Sequence, residues 1–107
     1  MAILARFKQS VPRWSREETF ADYALRNAMS EVSDAQEGQR NFILNAKGYA
    51  LGRLMARGWI DGAIVAFALG HGAKCCGYVR DHGEPATAAS IRHAVLDGMR
   101  RPYPDLR

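Results

Sequence analysis

Residues 37–54 read EGQRNFILNAKGYALGRL, and their apolar positions recur with the period of a helix. Leu44, Leu51 and Met55 share one face, Ile43, Ala50 and Leu54 lie beside them, and Phe42, Ala46 and Tyr49 cover another side. A helix apolar on most sides belongs in the middle of a bundle. The segment from about Asn41 to Arg57, stopped by Gly58, is therefore expected to be central. Along it runs a stripe at 4-3-4 spacing: Asn41, Asn45, Gly48 and Gly52. Glycine costs about 1 kcal/mol relative to alanine inside a helix, so two on one line imply a close approach. One reading is a neighbouring helix backbone, with the asparagines bonded to a nearby turn. The other is a ligand-facing groove in which amides and bare backbone meet phosphate or a nucleobase.

Three further helices are expected around this one. Ser15-Arg16-Glu17-Glu18 fits a capping box. Behind it Ala21, Leu25, Ala28, Met29 and Val32 give an amphipathic helix to about Ala35, broken by Gly38. Asp61 is placed to cap a third helix, with Ile64, Phe67 and Ala68 as its inward stripe and an end near Gly77. The segment from Tyr78 to Pro85 reads as a polar loop, after which Thr87 caps a fourth helix with Ile91, Ala94, Val95 and Met99 inward. Pro102 and Pro104 end it. No alternating strand pattern and no internal repeat is present. The expected fold is all-α, a small bundle of four main helices. Residues 1–14, interrupted by Pro12, form a poorly structured lead-in or linker, and residues 15–107 form the bundle domain.

The totals agree with one globular domain. Of 107 residues 48% are hydrophobic and 24% charged, and no apolar run approaches the ~20 residues of a membrane span. The opening MAILARFKQSVPRW lacks a long apolar h-region, so a cytoplasmic protein without a membrane partner is expected. Cys75 and Cys76 are adjacent, which does not suggest a disulfide framework.

The net charge of +4 is uneven: residues 1–37 carry five basic and six acidic side chains, residues 38–107 ten and five. Arg40 and Lys47 sit seven apart on the central helix, and Arg53 and Arg57 make an i,i+4 pair. With Arg92, Arg100 and Arg101 they are candidates to track a phosphate backbone, or else form a solubilising surface. Phe42, Tyr49, Trp59 and Tyr78 are stacking candidates or core anchors. His71, Cys75, Cys76, His82 and His93 do not form the two spaced ligand pairs of a structural zinc site, and His71 continues the stripe of Ile60, Ile64 and Phe67. No metal or cofactor is expected. A Walker-type loop and a nucleophile elbow are both absent. The acidic cluster Glu17, Glu18, Asp22, Glu31 and Asp34 reads as a solvated face rather than a two-metal site. Catalysis by this chain alone is not expected.

Glu37-Gly38-Gln39-Arg40-Asn41, Leu44-Asn45, Leu51-Gly52-Arg53-Leu54 and Gly58 together resemble a pattern of the helical-bundle domain of bifunctional primase-polymerases and related plasmid, phage and mobile-element replication proteins. Tyr23-Ala24-Leu25, Gly77-Tyr78 and Ser90-Ile91 extend the likeness over about residues 20–101. His93-Ala94 stands where that family has Ser-Gly, and the loop from Val79 to Ala86 looks lengthened. The resemblance implies an accessory module beside a polymerase, nucleotidyl-transfer or helicase domain, engaging template DNA. It points to Arg40, Asn41 and Asn45 as ligand contacts. The function expected on this basis is binding of single-stranded or template DNA without catalysis, through Arg40, Asn41, Asn45, Lys47, Arg53 and Arg57. Alternatives are a bundle that docks a polymerase or helicase partner, or an accessory domain that binds a nucleotide.

Overall fold

A computed structural model describes residues 14–107. Of the expected lead-in, residues 1–13 lie outside the described residues, and Trp14 is non-helical and half exposed. Five helices follow: α1 Arg16–Ser33, α2 Arg40–Met55, α3 Gly62–Cys75, α4 Tyr78–His82 and α5 Glu84–Met99. No strand occurs among the described residues, and no helix there is long and apolar enough to cross a membrane. The fold is all-α.

Local chemistry sets most boundaries. The Ser15 hydroxyl accepts from the Glu18 amide at 3.0 Å while the Glu18 carboxylate accepts from the Ser15 amide at 3.0 Å, so the capping box forms as read. Asp61 accepts from the Ala63 amide at 2.6 Å and opens α3. Past the end of α2, Gly58 adopts φ +72°, a conformation that costs a side chain dearly.

α2 is the central element, in contact with α1, α3 and α5 and most extensively with α5, while α1 packs chiefly on α3. Leu44 and Leu51 from α2, Val65 and Leu69 from α3 and Val32 from α1 are almost wholly buried. Truncating one such leucine to alanine removes about 2–5 kcal/mol, so these few side chains carry a large share of the stability.

Four expectations change, the smallest being Met99, expected inward at the end of α5 but 37% exposed. The inward face of α3 is Val65, Ala68, Leu69, Gly72 and Ala73, whereas Ile64 and Phe67 are 51% and 74% exposed. α3 is apolar all round, so its period marks no unique face, and the position of α1 decides. Gly72, where a Cβ would lie 2.9 Å from Val32, is where those two helices meet. His71 follows Phe67 outward and stacks on its ring at 6.3 Å. The segment expected as a loop contains α4, a single turn between Gly77 (φ +90°) and Gly83 (φ +86°). Finally, α5 starts at Glu84 with Pro85 in its first turn, not at Thr87. Thr87 is buried and its hydroxyl donates back to the Gly83 carbonyl at 2.8 Å.

Candidate nucleic-acid interface

The Asn/Gly stripe divides into two parts. A Cβ on Gly48 would lie 2.7 Å from the Ala94 Cβ, and one on Gly52 would overlap the Val95 carbonyl oxygen. Gly98 of α5 answers in kind, lying against the Tyr49 carbonyl. Each helix thus lays a glycine on the main chain of the other, and the two glycines of the stripe are packing residues. The asparagines form a network instead. Asn45 Nδ2 donates to the Asn41 carbonyl at 2.8 Å and to Asn41 Oδ1 at 3.1 Å. The Tyr78 hydroxyl donates to the same Oδ1 at 3.2 Å and lies 3.2 Å from Ser90 Oγ. Buried Tyr78 therefore ties α4 to the first turn of α2 and to the middle of α5.

The basic residues of α2 are dispersed. Lys47 pairs with Glu31 of α1. Arg53 Nε donates to the Arg101 carbonyl at 2.8 Å, its own carbonyl accepts from the Tyr103 amide, and its guanidinium sits 5.1 Å from the Tyr103 ring centroid. Arg57 donates to the Tyr103 carbonyl and, at 2.7 Å, to Asp105, while lying 4.8 Å over Trp59. The Tyr103 ring also packs on Phe20 and Trp59. Arg53 and Arg57 thus pin the segment after α5 to the end of α2. Along a helix rising 1.5 Å per residue they lie roughly 20–25 Å from Arg40. Arg40, Asn41 and Asn45 come together at the start of α2; Lys47, Arg53 and Arg57 do not join them. Arg92 and Arg101 are exposed, and Arg100 faces Asp97 at 3.9 Å.

The start of α2 has a distinct electrostatic character. It follows Gly38 at φ +93°, no side chain caps it, and its first turn holds no acidic residue. No side chain caps its first amides at the positive end of the dipole. Arg40 Nη1 donates to Asp81 Oδ2 at 3.1 Å, and Arg80 Nε donates to Asp81 Oδ1 at 3.1 Å. Both guanidiniums lean over Gly77, where a Cβ would meet Arg80 Nη2 at 2.9 Å and Arg40 Nη2 at 3.5 Å. The hydrogen bond from Arg80, with Coulomb attraction from Arg80 and Arg40, holds the Asp81 carboxyl below the usual carboxylate range against some desolvation. That bond likewise raises Arg80, with Glu37 a minor contributor. Arg40 is four-fifths buried, and its Nε is the one buried side-chain nitrogen or oxygen without a partner among the described residues. Arg80 escaped notice in the sequence because α4 read as a loop.

Cys75 is exposed, 3.5 Å from His71 Nε2, and Cys76 is buried. No group of three or more metal-ligating side chains occurs among the described residues. An apolar groove of about 400 Å³ runs between α3 and α5, with Val79 of α4 in its lining. Compared with protein-family models, curated proteins and solved structures, the chain matches none.

Proposed function

We propose that the chain is a non-catalytic helical module that binds single-stranded or template DNA by its phosphates, at the start of α2 rather than along its length. The observation that carries this reading is Arg40. Its guanidinium shares one carboxylate with Arg80 and keeps a buried Nε without a partner, beside an uncapped helix start. Buried polar atoms are almost always satisfied, and a helix N-terminus flanked by arginine suits phosphate. Asn41, exposed and fixed by Tyr78 and Asn45, stands at the same edge and is suited to meet a sugar or base. The resemblance of residues 37–58 to the helical bundle of primase-polymerases supplies the substrate class. In that setting a polymerase or helicase domain of the parent protein performs the chemistry in the cytoplasm, and this module holds the template.

Fluorescence anisotropy of a labelled single-stranded oligonucleotide, across a salt series, tests this. Binding is expected at low salt and should weaken as salt rises. The Arg40→Ala/Arg80→Ala variant, shown folded by circular dichroism, should bind more weakly. It should also lose about 0.7 of log–log salt slope for each phosphate contact removed. Lys47→Ala should change little, because Lys47 already serves Glu31. Absence of binding at low salt, or an unchanged slope in the double variant, overturns the proposal. A nucleoside triphosphate that competes with the oligonucleotide would assign the phosphate site to nucleotide instead.

A further inference from the structure

α3 turns a histidine and a cysteine outward, one helical turn apart. His71 and Cys75 stand at i,i+4 and both are exposed, a spacing that makes two side chains neighbours on one helix face. His71 Nε2 lies 3.5 Å from Cys75 Sγ. Phe67, one turn earlier, stacks on the imidazole with ring centroids 6.3 Å and planes 11° apart. The imidazole therefore sits between an aromatic ring and a sulfur along one ridge of α3. Neither the core nor the start of α2 uses this pair.

We propose that His71 Nε2 and Cys75 Sγ are two ligands of a zinc ion. Zinc binds thiolate sulfur at about 2.3 Å and imidazole nitrogen at about 2.0–2.1 Å, with its ligands spread tetrahedrally. Two such bonds at the tetrahedral angle hold sulfur and nitrogen about 3.5–3.6 Å apart, the separation the pair already has. The metal therefore enters without repacking the helix. In the free chain a thiol–imidazole hydrogen bond spans the same gap, and the metal takes the proton's place. As the sulfur–zinc bond forms, the Cys75 thiol releases its proton to solvent, and the neutral imidazole supplies the Nε2 lone pair. Sulfur and imidazole nitrogen suit zinc, whereas magnesium and calcium require oxygen. No third metal-ligating side chain joins the pair among the described residues, so water fills the remaining positions. Half the ligands of a closed structural site leave a Kd on the order of 1–100 μM. Buried Cys76 takes no part, because its sulfur lies against the Ala73 carbonyl, 3.6 Å away.

Titration of the reduced, chelator-treated chain with cadmium, a thiophilic substitute for zinc, tests this by ultraviolet absorption. A sulfur-to-cadmium charge-transfer band rises only when a thiolate is bound. Competition with a chromogenic zinc indicator then gives the zinc Kd. One metal per chain is expected, with the band lost in Cys75→Ser and kept in Cys76→Ser. Zinc affinity should fall roughly tenfold or more in His71→Ala, since one of two ligands is gone. Positions 71 and 75 are exposed, so the helicity of their variants should match the parent chain by circular dichroism. Absence of the band at about 1 mM cadmium, tenfold above the weakest Kd expected, overturns the proposal. So does a band that survives Cys75→Ser, which would put the metal on Cys76. Zinc affinity unchanged by His71→Ala overturns it too, because the thiolate would then be acting alone.

Discussion

Gly52→Ala gives the sharpest test of how closely α2 and α5 approach. In an open helix this exchange stabilises, because alanine is better than glycine by about 1 kcal/mol. At position 52 the new methyl would overlap the Val95 carbonyl oxygen and stand 3.1 Å from the Val95 Cα. These obstructing atoms are main chain, so no rotamer change relieves them and the two helices must separate. Overpacking of this kind costs about 1–3 kcal/mol. A rigid obstacle places the cost toward the upper end, since even a small gap between packed helices forfeits dispersion along the whole contact. Set against the propensity gain, a net loss of about 1–2 kcal/mol is expected. At about 4–8 °C per kcal/mol for a domain near this size, the Tm should fall by roughly 5–15 °C. Gly70→Ala supplies the control, because a Cβ there meets nothing within 4 Å, and the same exchange should stabilise by about 0.5–1 kcal/mol. Urea denaturation followed by circular dichroism measures both. If Gly52→Ala proves neutral or stabilising, the close approach of α2 and α5 is refuted.

Asp81→Asn should tighten binding of single-stranded DNA, since the carboxylate that Arg40 and Arg80 share competes with phosphate for them; anisotropy at fixed salt reads this directly. The folded Asp81 carboxyl is depressed, so its contribution to stability is fully present above the unfolded value near pH 4. That contribution is lost only as the pH falls through the lower folded value. Acid denaturation of Asp81→Asn should therefore converge with that of the parent chain at the acid end, and separation growing toward low pH would contradict this. Tyr78→Phe removes a hydroxyl that joins Asn41 to Ser90 and should destabilise by about 1 kcal/mol in urea denaturation. Arg57→Ala should leave the core intact but release residues 101–105, seen as faster amide exchange at Tyr103 than in the parent chain.

What could be read in advance was local. The capping box at Ser15 and the cap at Asp61 each need only a neighbour two or three residues away, and both formed. α2 is central as expected, but not because it is apolar on most sides: the side bearing Phe42, Ala46 and Ala50 faces solvent, with Phe42 70% exposed. α3 defeated the same logic, because a helix such as GAIVAFALGHGA offers every face to the core and only the position of α1 selects one. α4 is too short to show a period, and Thr87 drew attention from Pro85, the better helix opener. At the site, Asn41 and Asn45 stood out by spacing, but their partners Tyr78 and Ser90 arrive from two other helices. The engagements of Arg53 and Arg57 are still less visible, since both bond to main-chain carbonyls, which every residue possesses alike.

α4 also has a thermodynamic consequence. Within one turn flanked by hinge glycines, Tyr78 holds Asn41, Asp81 holds Arg40, and Val79 lines the groove between α3 and α5. A ligand that reorients this turn at one surface alters the other through the same five residues. Linkage is then reciprocal: any factor by which a ligand at the start of α2 changes the affinity of a ligand in the groove is the same factor by which the second changes the affinity of the first.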